Sequence, residues 1–146
     1  MDKETTRSLS RILEKISENR EADRFLEESR SDQPTNFHTY INQMIGEKNL
    51  QVSEVIRRSG ISRNYVYNIL NGYKQNPGRD KVIALCVGAG LTYSETQKGL
   101  ELAKTAILYP RDHRDVRIAV AINQGICDVG RLNLLLEECG LPPLKV

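Results

Sequence analysis

The chain has 146 residues, of which 39% are hydrophobic, with 21 basic and 19 acidic side chains. This length suffices for one well-buried core but not for two full domains, and the mixture of apolar and charged residues excludes a disordered polypeptide. No apolar run approaches the roughly 18 residues of a membrane-spanning helix, and the N-terminus lacks the apolar core of a signal peptide. We therefore expect a cytoplasmic protein without membrane contact.

The cysteines and histidines show no metal-binding pattern. Cys86, Cys127 and Cys139 are too few and too widely spaced for a disulfide framework or a CxxC zinc site. Each stands among apolar residues of a predicted helix, so we expect buried free thiols. His38 and His113 are isolated, and no nucleophile accompanies a base in a recognisable motif. We expect no metal, no cofactor and no enzymatic activity.

Positive charge is concentrated in one part of the chain. Residues 1–35 carry a net charge of −2, whereas 36–50 and 82–146 are each neutral. Residues 51–81 hold six basic and two acidic side chains, a net charge of +4. Affinity for nucleic acid comes largely from side chains that neutralise phosphates. This segment is therefore the candidate for such contacts, although a solvated protein surface has a similar composition.

The N-terminal residues predict one charged helix over 3–30. Its apolar residues form a narrow stripe of Leu9, Ile12, Leu13 and Ile16. Phe25 and Leu26 provide a second apolar contact. Such a stripe is too narrow for an independent core, so we expect the helix to pack on the main domain or on a partner chain. Ser31-Asp32-Gln33-Pro34 ends it, because the residue before a proline disfavours helical backbone. A linker there makes 1–34 a separate N-terminal segment.

A strong helical period begins at residue 35. Apolar residues recur at intervals of three and four: Phe37, Tyr40, Ile41, Met44 and Ile45. With Thr35 or Asn36 as the N-cap, this period predicts a helix that ends near Lys48.

The stretch from Gln51 to Gly72 predicts two short helices joined by a tight turn, because apolar residues recur at helical spacing on both sides of Gly60. Gly60 suits the end of the first helix, since glycine tolerates left-handed backbone, and Ser62 suits the N-cap of the second. This is the helix-turn-helix pattern, whose second helix commonly enters the major groove of DNA.

The remaining residues predict a loop at 72–78 and four further helices at 79–89, 92–106, 112–123 and 128–139. Thr92 and Glu95 have the spacing of a capping box at the start of the second of these helices. No alternating strand pattern is present, and the predicted fold class is all-α.

Two of these helices begin with similar sequences. RDKVIAL, from Arg79 to Leu85, resembles RDVRIAV, from Arg114 to Val120. The similarity indicates either two helix pairs with the same arrangement or a chance resemblance between amphipathic helices. We interpret Asp80 and Asp115 as helix caps or members of local ion pairs, not as a catalytic pair of carboxylates.

The helix after Ser62 presents two different faces on a helical wheel. One face holds Ser62, Val66, Ile69, Leu70 and Tyr73, and the opposite face holds Asn64, Tyr67, Asn68 and Asn71, with Arg63 and Tyr65 at the borders. No acidic residue occurs from Ile61 to Gln75. Asparagine can bond N6 and N7 of adenine, and arginine can bond O6 and N7 of guanine. The polar face therefore favours reading of the major groove over simple solvation.

Residues 36–91 resemble the phage-repressor-type helix-turn-helix domain of the XRE family of bacterial regulators. The resemblance rests on short motifs: SGIS at 59–62, YVY at 65–67, NG at 71–72, NP at 76–77 and VIAL at 82–85. It implies a compact five-helix domain that binds double-stranded DNA, with the helix from Ser62 to Asn71 reading bases. It also implies backbone contacts from Gln51 and Ser53, which precede the turn, and from Lys74 and Asn76, which follow the reading helix. Val52 and Leu70 replace a Gln and a Glu that are common in the family.

The C-terminal extension, 92–146, is more apolar than one helical face requires, since Leu134 and Leu136 cannot face the same side. Either its last helix is buried on two faces, or one face forms a homodimer interface. Together with the DNA-binding domain at 35–91, this predicts a dimeric, sequence-specific transcriptional regulator. The alternative is a helix-turn-helix module that binds a protein partner, as an adaptor, an antitoxin or a regulator of a partner enzyme.

Overall fold

The computed structural model describes residues 6–29 and 34–146. In these ranges all regular secondary structure is helical, which confirms the all-α class. The helices are α1 (Thr6–Leu13), α2 (Asn19–Ser29), α3 (Phe37–Glu47), α4 (Val52–Ser59), α5 (Arg63–Leu70), α6 (Arg79–Gly88), α7 (Tyr93–Leu102), α8 (His113–Asn123) and α9 (Val129–Glu138). None of these helices is long and apolar enough to cross a membrane.

Helices α1 and α2 form one compact unit, and α3 to α9 form another. The prediction of a single helix over 3–30 is wrong, because the chain leaves the helical path between Leu13 and Asn19. A continuous helix would place Glu14 and Glu18 one turn apart with like charge. The side chains of Leu9, Phe25 and Leu26, together with the predicted linker at 31–33, lie outside the described residues.

Helix α6 is the centre of the second unit. Every residue from Val82 to Gly88 is buried. Burial on all sides follows because α4, α7 and α9 each contact α6. This burial also raises the pKa of the Cys86 thiol to about 12, so Cys86 stays protonated in the core at neutral pH.

The other two cysteines differ from the prediction of buried thiols. Cys127 is half-buried in the connection between α8 and α9, and Cys139 is half-buried as the C-cap of α9. Neither lies inside a helix, where an inward-facing position would bury the side chain.

Helix α7 ends at Leu102, four residues before the predicted end at Ala106. Lys104 has left-handed backbone (φ 59°), and the chain then runs through a non-helical segment, 105–109. The side-chain amide of Gln97 donates to the Leu108 carbonyl (3.0 Å) and accepts from the Leu108 N–H (2.8 Å). Backbone groups that a longer helix would have paired are thus satisfied by a side chain.

Two reciprocal ion pairs join α6 to α8. The Arg79 guanidinium donates Nη1 and Nη2 to the two carboxylate oxygens of Asp115, at 3.1 and 2.8 Å. In the same way, Arg114 donates to both oxygens of Asp80, each at 3.0 Å. The aspartates therefore pair across the fold with the other arginine and do not form the local pairs that the sequence suggested. Two hydrogen bonds between one arginine and one carboxylate fix the relative orientation of the two side chains as well as their distance.

The same hydrogen bonds recur in both halves of this arrangement. Arg79 also donates to the carbonyls of Ala106 and Ile107, and Arg114 to those of Pro142 and Pro143. The Tyr109 N–H donates to Asp115, and the Lys145 N–H to Asp80. Leu144 is buried and its N–H bonds Asn133, just as buried Leu108 bonds Gln97. The similarity between the segments at 79 and 114 thus has a structural counterpart that extends through two helix pairs and the non-helical segments after them.

Helix α9 buries one face only. Leu132 and Leu136 are fully buried, whereas Leu134 is 61% exposed and Leu135 is also exposed. The interpretation of a helix buried on two faces within this chain is therefore wrong, because α4, α6 and α8 all pack on the side that carries Leu132 and Leu136.

We expect the two aspartates to contribute unequally to stability. Each aspartate accepts one backbone N–H as well as the arginine, but the Asp115 side chain is 6% exposed and the Asp80 side chain is 22% exposed. In urea unfolding at neutral pH, Asp115→Asn should lower the free energy of unfolding by about 3 kcal/mol, since it leaves Arg79 without its counter-charge. Asp80→Asn should lower it by about 1.5 kcal/mol. The reverse order would contradict this account of the pairs.

The pH dependence of the unfolding free energy provides a control for the contribution of Asp80. Partial burial alone would raise the pKa of Asp80, but hydrogen bonds from Arg114 and from the Lys145 N–H hold it below its usual value. A lowered pKa in the folded state stabilises the fold above the unfolded pKa of about 3.9, and this contribution is lost as pH falls through the folded pKa. The unfolding free energies of the wild type and Asp80→Asn should therefore converge below about pH 4.

Candidate nucleic-acid interface

The turn between α4 and α5 is built as the sequence predicted. Gly60 has left-handed backbone (φ 71°) and its N–H donates to the Ile56 carbonyl at 3.2 Å, which ends α4. Ser62 is the N-cap of α5, and its hydroxyl oxygen accepts from the Tyr65 N–H at 3.3 Å. Ile61 is buried between these two residues. The turn therefore fixes where α5 begins.

A close approach between helices positions this turn. A Cβ atom added to Gly88 of α6 would lie 2.9 Å from the backbone nitrogen of Ser59, so only glycine allows α4 to pack this near. The buried Ser59 hydroxyl donates to the Ile56 carbonyl (3.1 Å) and accepts from the Ile61 N–H (3.3 Å). Sequence analysis did not single out either residue, because the contact joins positions far apart in the chain.

The inner face of α5 is anchored at both ends. Val66 and Ile69 are fully buried, and Leu70 is 8% exposed, so Leu70 extends the core and offers no apolar surface patch. The side-chain amide of Asn42 on α3 donates to the Leu70 carbonyl at 2.9 Å, which ties the C-terminal end of α5 to α3. The orientation of α5 is thereby set by packing and by a capping hydrogen bond.

The outer face of α5 carries the predicted polar residues. Asn64, Tyr67, Asn68 and Asn71 are all exposed on this face, and no hydrogen bond of their side chains to other described residues is present. The Arg63 guanidinium lies 5.3 Å from the centroid of the Tyr67 ring, which places the cation beside the amides. This face can thus offer amide, hydroxyl and guanidinium groups to one ligand.

Tyr73 is the exception to the helical wheel. The wheel placed it on the inner face, but it is 82% exposed. Gly72 has left-handed backbone (φ 79°), which turns the chain away from the helical path before Tyr73. The aromatic ring therefore stands in solvent beyond the end of α5.

The predicted backbone contacts lie on two other elements. Gln51 and Ser53 are exposed at the start of α4, while Val52 is half-buried against the core. Lys74 and Asn76 are exposed in the loop after α5, and the Lys74 N–H donates to the Asn68 carbonyl at 2.9 Å. This hydrogen bond holds the loop against the end of α5, whereas Gln51 and Ser53 belong to a separate helix terminus.

Intramolecular ion pairs determine which basic side chains of this region carry its positive charge. Arg58 pairs with Glu54 at 3.0 Å, and Arg79 pairs with Asp115. Lys81 has no ion pair, but it donates to the Val146 carbonyl at 3.1 Å and lies 4.7 Å from the Tyr65 ring centroid. The basic residues of 51–81 without an ion pair in the described part of the chain are Arg57, Arg63, Lys74 and Lys81.

Two cationic or titratable side chains near this region were not predicted. His38 at the start of α3 and Lys104 after α7 line a cleft together with Lys74 and Asn76. Nothing in the sequence joins them, because they come from three elements that only tertiary packing brings together. In residues 6–29 and 34–146, no group of three or more His, Cys, Asp or Glu side chains is placed to hold a metal ion.

Comparison with known proteins gives no relative: no protein-family model, no curated protein and no solved structure matches this chain.

The contact between α4 and α6 can be tested with a pair of glycine substitutions. Gly88→Ala should lower the free energy of unfolding by about 1–3 kcal/mol, because the added methyl group must push Ser59 and the turn away from α6. Gly46→Ala on α3 is the matched control, since no atom lies within 4 Å of its added Cβ. It should be neutral or stabilising by up to about 1 kcal/mol, as expected for alanine in a helix. Equal effects of the two substitutions in urea unfolding would refute the proposed packing constraint.

Proposed function

We propose that this protein is a sequence-specific double-stranded DNA-binding regulator of the phage-repressor type. The observation that carries the proposal is the outer face of α5, where three exposed asparagines and Tyr67 stand on a helix whose inner face is fixed. Residues 36–91, for which five helices were expected, hold four, α3 to α6, and α7 follows as the fifth; the order of these helices, with a tight turn between α4 and α5, supports it. In helix-turn-helix proteins the helix that follows the turn, here α5, lies in the major groove.

The candidate residues divide into those that contact bases and those that contact the phosphate backbone. Asn64 and Asn68 are one helical turn apart on the exposed face, so both amides can address neighbouring base edges. Arg63 reaches guanine or a phosphate, and Lys74 neutralises a phosphate beyond the end of α5. The absence of acidic side chains from Ile61 to Gln75 leaves nothing there to repel the phosphate backbone.

A homodimer is part of this proposal. Val116 and Val120 on α8, with Leu134 and Leu135 on α9, are exposed apolar side chains in the C-terminal half. A two-fold dimer would present two copies of α5 to half-sites about one turn of DNA, roughly 34 Å, apart. The same apolar residues also favour the second candidate function, a helix-turn-helix module that binds a different protein.

Binding-site selection from random duplexes tests the function directly. We expect the full chain to enrich one sequence of two inverted half-sites, since a two-fold dimer reads a palindrome. If no duplex is enriched even at low salt, DNA binding is refuted and the protein-binding alternative takes its place. A single unrepeated half-site would retain DNA binding and refute the dimer.

Substitution of the asparagines tests which residues read the bases. On the selected duplex, Asn64→Ala or Asn68→Ala should weaken binding by about 1–3 kcal/mol and relax specificity at one position of each half-site. Lys74→Gln should weaken all sequences alike and reduce the dependence of log K on log salt by about one unit per chain. Ser94→Ala, which removes an exposed polar side chain of α7, should change nothing. A loss in that control equal to the loss in Asn68→Ala would refute the assignment.

A further inference from the structure

A cleft of about 240 Å³ lies beside the loop that follows α5. Three parts of the chain form it: residues 35–38 at the start of α3, residues 74–76 of the loop, and Leu102 with Lys104 at the end of α7. It is smaller than the roughly 300–1,000 Å³ of pockets for drug-sized ligands. Its size therefore fits a small metabolite.

The walls of the cleft carry positive charge without a counter-charge. Lys74 and Lys104 line it from two sides, and no carboxylate is among its lining residues. Neither ammonium group has an ion pair or a hydrogen bond in the part of the chain that the structure describes. Two cations facing one cavity repel each other through the solvent, so an anion between them removes this cost.

Polar donors and an apolar floor complete the cleft. The Asn36 side-chain oxygen caps α3 by accepting from the Thr39 N–H at 2.9 Å, which leaves its NH₂ group free to donate to a ligand. Gln75 and Asn76 add two more amides from the loop, and buried Phe37 forms part of the floor. His38 packs its ring against Gly72, so the wall between α3 and the loop is closed.

We propose that this cleft binds a small phosphate monoester of sugar-phosphate size, with Lys74 and Lys104 holding the phosphate and the amides holding hydroxyl groups. Two lysines match the charge of −1.5 to −2 that a phosphate monoester carries near neutral pH. A single carboxylate or a single phosphodiester group carries one negative charge and would leave half of the positive charge unmatched. The charge balance therefore favours the free monoester over either single group.

This inference extends the proposed function, because Lys74 and Asn76 serve both ligands. A sugar phosphate in the cleft occupies the ammonium group that would otherwise neutralise a DNA phosphate. The two ligands are therefore expected to weaken each other's binding by the same factor, as thermodynamic linkage requires.

Calorimetric titration of the full chain with ribose 5-phosphate tests the site, with ribose as the uncharged control. We expect saturable binding of one ribose 5-phosphate per chain and no binding of ribose. Lys104→Gln should weaken it by about tenfold or more, since a hydrogen bond to a charged group is lost. Arg111→Gln, which removes an exposed cation outside the cleft, should leave the affinity within about twofold, and circular dichroism checks that both variants fold.

Each result decides between the ligands. No saturable binding, or an unchanged affinity in Lys104→Gln, overturns the site. If ribose 5-phosphate does not bind but Lys104→Gln weakens the selected duplex, the cleft takes a phosphate of DNA and the monoester is refuted. A protein that binds ribose 5-phosphate but no duplex keeps the site and loses the proposed DNA function.

Discussion

Two arginine side chains hold the C-terminal half of this protein against the helices that present the candidate interface. Arg79 and Arg114 each neutralise an aspartate of the other helix and also bind two carbonyls of a non-helical segment. Those carbonyls have no helical partner, so the arginines bind groups that would otherwise be left to solvent and thereby fix the two non-helical segments. Because α6 is also the surface on which α4 rests, the position of the turn at Gly60 depends on the same arrangement.

Local signals predicted most of the secondary structure of residues 34–146. The N-caps Asn36, Ser62 and Thr92 and the left-handed glycine at Gly60 act within a few residues, so the sequence alone places helix ends there. The end of α7 was misplaced because the backbone is left-handed at Lys104, and the side chains of Gln97 and Arg79 then hold the segment that follows. These contacts depend on tertiary packing, and no local pattern contains them.

The candidate site shows the same division between local and distant causes. The exposed amide face of α5 was predictable, because a buried apolar stripe on one side of a helix leaves the other side in solvent. The side chains that carry its positive charge were not, since Arg58 and Arg79 form ion pairs within the protein. The basic residues of 51–81 without an ion pair in the described part of the chain, Arg57, Arg63, Lys74 and Lys81, sum to the same +4 as the count along the sequence. Counting charges along a sequence therefore predicts the net charge of this segment but not which basic residues are available to a ligand.

The last residues of the chain end beside the turn. A Cβ atom added to Gly60 would lie 3.4 Å from the Val146 side chain, and Lys81 bonds the Val146 carbonyl. Any polypeptide joined after Val146 would thus leave the fold next to the start of α5. An affinity tag or a fluorescent protein fused at that end would crowd the helix that we propose reads DNA. Binding measurements are best made with such a tag removed.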